Sequence, residues 1–173
     1  GDESGMMGYS YSYNDWPRQC FNAAKSWQLG WYSARTLTLS SNGDSYSGDL
    51  VDITQDPDDA SGAPMLIKLN ADTTKDYFLS YNRAVGFNVD TNAGANEVRI
   101  VRTTEGSGTS YSETRLRASL SSGDSWTTPS HFGGKTATIT VNSIGTTANI
   151  DICIGSCSPV SPPVSPPVSP PVS

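Results

Sequence analysis

Hydrophobic and polar positions change rhythm once along this chain, near residue 34. Before that point the one regular signal is helical. Ala23 to Leu29 is free of Gly and Pro, Asn22 is a suitable N-cap, and Gly30 supplies a stop. Ala23 and Trp27 share a face at i, i+4, and Trp31 continues it. Three of the four tryptophans lie in residues 1–33, which therefore read as a separate unit whose aromatic helix face is expected to pack on something upstream.

After residue 34 the period becomes two. Candidate strands are Arg35 to Leu39, Asp49 to Thr54, Met65 to Leu69, Asp76 to Asn82, Glu97 to Arg102, Glu113 to Leu120, Lys135 to Asn142 and Thr147 to Ile154. Met65, Ile67 and Leu69 point one way, as do Leu116, Ala118 and Leu120, and as do Ala148, Ile150, Ile152 and Ile154. Turn chemistry separates them at Ser41-Asn42-Gly43-Asp44, Asp56-Pro57-Asp58-Asp59, Asn92-Ala93-Gly94 and Ser121-Ser122-Gly123-Asp124. Short alternating strands with polar turns predict a mainly β fold, an antiparallel β-sandwich over residues 34–157.

Residues 158–173 are Ser-Pro-Pro-Val repeats holding seven of the eleven prolines. Proline removes amide donors and fixes φ, so this tail is expected to be disordered or to run as polyproline II, reaching about 50 Å.

Composition supports an extracellular-type β domain: Gly, Ser, Thr, Asn and Asp abound and charged residues make up 16%. A formal charge of -6 without basic blocks argues against a nucleic-acid partner. No apolar run is long enough for a membrane span, and the opening residues carry no signal peptide, so a secreted protein would have its targeting segment upstream of Gly1. Three cysteines leave one without an internal partner. Cys153 and Cys157 are spaced to close a small loop, which would leave Cys20 to pair with an absent partner; three reduced thiols are the alternative.

Two segments carry a family resemblance. Ser4-Gly5-Met6-Met7-Gly8-Tyr9-Ser10 contains the Ser-x-Met-x-Tyr pattern of a metzincin Met-turn. Together with Arg18-Gln19-Cys20-Phe21-Asn22-Ala23-Ala24-Lys25-Ser26-Trp27-Gln28-Leu29-Gly30-Trp31 and Tyr81-Asn82-Arg83-Ala84-Val85-Gly86-Phe87-Asn88, it resembles the gametolysin family, zinc metallopeptidases of algae and related protists that act on extracellular-matrix or cell-wall glycoproteins. The resemblance runs from near Gly1 to about Cys157.

It implies that residues 1–33 are the C-terminal remnant of a catalytic domain. Met7 and Gly8 would form the active-site floor, with Met6 the alternative turn methionine. Tyr9 would be a catalytic phenol able to bind zinc or to steady the tetrahedral intermediate. The zinc-binding H-E-x-x-H-x-x-G-x-x-H helix is absent from these residues, so zinc is the expected cofactor of a fuller protein and no metal is expected on this chain. Secretion to an extracellular or cell-wall location follows from the same resemblance.

Other candidates have simpler readings. His131 is the only histidine and reads as a solvent-exposed loop residue. Asp56, Asp58 and Asp59 offer oxygen ligands for calcium but lack EF-hand spacing, so a solvated turn competes. Tyr81-Asn82-Arg83 reads as a strand end in a polar turn. Trp27 and Trp31 read as core. No G-x-S-x-G, phosphate loop or N-x-S/T sequon occurs. The alternative function is a non-catalytic wall-associated or carbohydrate-binding module with a Pro-rich anchor, using Tyr46, Tyr111 and Trp126.

Overall fold

Alternation of apolar side chains accounts for most of the strands in the computed structural model, which describes residues 20–58, 61–73, 75–91, 94–103 and 113–157. The order is helix α1 (Ala23–Gln28), then β1 (Thr36–Leu39), β2 (Ser45–Val51), β3 (Leu66–Leu69), β4 (Tyr77–Asn82), β5 (Glu97–Thr103), β6 (Thr114–Leu120), β7 (Ser125–Thr127), β8 (Ala137–Ile144) and β9 (Thr147–Ile154). The chain is mainly β. The Ser-Pro-Pro-Val tail lies outside the described residues.

Two sheets result, one ordered β1-β3-β4-β5-β6 and the other β2-β9-β8-β7. Their facing side chains meet in one apolar cluster. Ile67, Leu79, Tyr81 and Ile100 enter it from the first sheet, and Leu50, Ile139, Val141 and Ile150 from the second. The chain passes between sheets just after β2: Asp52 bridges to Tyr81, and the Ile53 N–H donates to the Tyr81 carbonyl at 3.1 Å.

Three strand expectations need correction. β2 begins at Ser45, because pairing with β9 rather than apolar content defines its first half. β7 was not expected, since Trp126 is its only apolar residue. The pairing is not wholly antiparallel: β1 runs parallel to β3, Thr36 opposite Leu66. The excursion into the second sheet between them brings the chain back in the same direction.

Helix α1 forms for the reasons its sequence gives. Asn22 Oδ1 accepts the Lys25 N–H at 3.0 Å. At the other end Gly30 sits at φ 76° and donates to the Trp27 carbonyl, while Trp31 donates to Ser26, the paired closure that a left-handed glycine permits. Its partner, however, is downstream rather than upstream. Ala23 and Ala24 pack with Ile53, Leu66, Phe78 and Val101 on the outer face of the first sheet. Trp27 lies 5.4 Å from Phe78, and the Lys68 ammonium sits 4.3 Å from the Trp27 ring while pairing with Asp76 at 2.9 Å. The first sheet is therefore covered on both sides: every residue of β3 and β4 is buried.

Candidate functional site

Met7, Gly8 and Tyr9, the residues assigned to the Met-turn, lie outside the described residues, as do Met6, Tyr111 and Asp59. The segments that carried the remainder of the resemblance meet at one place. The Cys20 N–H faces Asn88 Oδ1 at a long 3.5 Å, which brings the start of α1 against the loop after β4.

That loop is pinned from inside. Asn88, fully buried, donates to Asn82 Oδ1 at 2.7 Å and to the Arg83 carbonyl at 2.9 Å, and Asn82 donates onward to Gly94. Tyr81-Asn82-Arg83 is thus the anchor of a loop as well as the end of β4. The side chains flanking Asn88 point the other way: Phe87 is 72% and Val89 57% exposed. On the helix side Leu29 is 54% and Trp31 46% exposed, Trp31 resting on Phe21 at 5.2 Å. A pinned loop and a capped helix end hold four large apolar side chains in water, an arrangement that marks interaction surfaces.

Beneath this surface lies a small polar group. Cys20 is a free, half-buried thiol pushed up to about 11 by burial and by the nearby Asp52 carboxylate. Tyr32 donates its phenol to the Ile53 carbonyl at 3.1 Å and is likewise raised by burial, then by Cys20 and Asp52. Asp52 is fully buried and satisfied by the Thr54 amide at 2.7 Å and the Thr54 hydroxyl at 2.8 Å. A thiol held protonated is a poor nucleophile, so this group is structural. Cys153 and Cys157 form a disulfide that closes the end of β9.

His131 requires a correction. It is half-buried rather than solvent-exposed, stacked on Tyr77 at 6.0 Å, with Nδ1 3.0 Å from the Tyr77 hydroxyl. The same hydroxyl accepts from Arg102 Nη1 at 3.4 Å, and Trp126 packs on Tyr77 at 5.7 Å. Sequence reasoning missed Tyr77 and Arg102, because only strand register brings them together. Among the described residues no group of three His, Cys, Asp or Glu side chains converges to hold a metal. Asp56 accepts the Asp58 N–H at 3.0 Å, a local turn bond. No helix among the described residues is long and apolar enough to cross a membrane.

No family model matches this chain, and neither the curated proteins nor the solved structures provide a match.

Proposed function

We propose that this chain is the C-terminal part of a secreted zinc metalloendopeptidase acting on extracellular-matrix or cell-wall glycoproteins. In this reading the two sheets form a β-sandwich accessory module, and residues 1–33 close the floor of a catalytic unit whose metal-binding part is supplied by other residues of a longer polypeptide. One observation carries it beyond the sequence resemblance. The apolar surface of Leu29, Trp31, Phe87 and Val89 is held firmly in water, and it is built from the two segments, α1 and the loop after β4, that resemble the family. A catalytic unit seated there would cover it.

This chain's residues do not fit a zinc site. It has one histidine, and that imidazole is engaged by Tyr77. Three imidazoles or their equivalent are needed for a catalytic zinc. The contribution proposed for this chain is therefore limited to the floor, Met7 and Gly8, and to the Tyr9 phenol as a hydrogen-bond donor to developing negative charge.

The test is proteolysis by the longer polypeptide. Cleavage of a wall glycoprotein should be abolished by a metal chelator and restored by zinc, and Tyr9→Phe should lower turnover by about tenfold to a thousandfold. Cleavage that survives exhaustive metal removal would overturn the assignment, and unchanged turnover in Tyr9→Phe would remove the phenol's role.

A further inference from the structure

Antiparallel register aligns Tyr77 of β4 with Arg102 of β5, and Arg102 with Arg115 of β6. These three residues form a row across the first sheet. Directly opposed side chains on one face lie within roughly 5.5 Å at Cβ, and two like charges so placed repel. Neither guanidinium is offset by an ion pair: the salt bridges among the described residues join Lys68 to Asp76 and Arg99 to Glu97. Glu113, two residues before Arg115, pairs with neither. In a chain of net charge -6, two opposed arginines without a carboxylate need a reason.

The groups around the row share one chemical character. Arginine donates and never accepts, so the Tyr77 oxygen accepts from Arg102 and its own proton goes to His131 Nδ1. That leaves neutral His131 with its N–H on Nε2. Every polar group facing outward from this row is then a donor: two guanidinium forks and an imidazole N–H. Donor-only sites suit oxyanions, which planar guanidinium groups grip through paired bonds. Beside them stands Trp126, half-buried on the edge strand β7 and packed against Tyr77. The edges of both sheets, β6 and β7, run side by side here, so the row opens to solvent between them.

We propose that Arg102, Arg115, Tyr77, His131 and Trp126 form a binding site for an acidic sugar, a carboxylate- or sulfate-bearing residue of a polysaccharide. The guanidinium groups take the oxyanion, and the Trp126 ring offers an apolar face for the sugar. An acidic peptide would use the arginines alone, without need of the indole. The assignment does not rest on the peptidase reading, since the site is complete within this chain.

The experiment is a calorimetric titration of the 173-residue chain with a uronic-acid oligosaccharide, a sulfated oligosaccharide, a neutral oligosaccharide of equal length, inorganic sulfate and poly-glutamate. One or both acidic sugars should bind, and the neutral sugar should not. Arg115→Gln should weaken binding by about tenfold or more. Because Arg115 is exposed and repelled by Arg102, that variant should unfold no earlier than the parent. Trp126→Ala should weaken the acidic sugar, and Trp126→Phe should recover part of the loss. The proposal is overturned by no binding of either acidic sugar, by equal binding of the neutral one, or by an Arg115→Gln variant of undiminished affinity. Binding of poly-glutamate as tight as the sugar and indifferent to Trp126 would reassign the site to acidic peptides. Sulfate binding alone would reduce it to a simple anion site.

Discussion

Replacing Trp27 by Ala separates two descriptions of the molecule. If α1 belonged to an independent unit, the sheets would unfold as before. In the structure Trp27 is a half-buried lid: its ring meets Phe78 at 5.4 Å and lies 4.3 Å from the Lys68 ammonium. Losing the apolar cover of a half-buried indole costs about 2 kcal/mol. The ring pair adds about 1 kcal/mol and the ammonium–ring contact about 0.5–1 kcal/mol. The Lys68–Asp76 pair, with both side chains 9% exposed, would also gain water on one side. The total is about 3–4 kcal/mol, which at a urea slope of about 1.5–2 kcal/mol/M moves the midpoint down by about 2 M. Far-UV circular dichroism reports the sheets directly and avoids dependence on the deleted fluorophore. A midpoint within about 0.5 M of the parent would show that the helix contributes nothing to the sheets, and the packing argument would be wrong.

Cys20 should react with a disulfide reagent at pH 8 about a hundredfold more slowly than an unperturbed thiol, because its ionisation is displaced from 9.0 to about 11. The folded thiol keeps its proton longer than the unfolded one, so stability should fall as pH rises from 9.0 toward 11; rapid labelling of the native chain at pH 8 would contradict the burial. Reducing Cys153–Cys157 should cost about 2 kcal/mol, read as a lower urea midpoint in reductant, and an unmoved midpoint would deny the bridge any role. Gly155→Ala should destabilise by about 1–2 kcal/mol, since Gly155 sits at φ +72° and a Cβ there would strike the Asn42 side chain; Asn42→Ala in the same background should restore only the steric part.

Much of the fold was legible because one face of each sheet is apolar. Ile150, Ile152 and Ile154 alternate in β9 as they must to reach the shared core. The helix limits were legible for a local reason: Asn22 and Gly30 act within one turn of themselves. Docking of α1 left a subtler trace. Leu66 and Phe78 are apolar on the face opposite Ile67 and Leu79, a sign that the sheet is covered twice. β7 and the start of β2 were illegible, because their places come from hydrogen bonding to β8 and β9 and their residues are mostly Ser, Thr, Gly and Asp. His131 was misjudged because a loop residue's burial depends on what crosses beneath it, here Tyr77. The Tyr77–Arg102–Arg115 row could not be read at all, since it is a product of register across three strands.

The central claim is that these residues adjoin a metal-binding unit in a longer polypeptide, and reading the coding sequence ahead of Gly1 tests it most directly. The account predicts an H-E-x-x-H motif within several dozen residues upstream, in frame. A signal peptide joined directly to Gly1, with no such motif between, would contradict it.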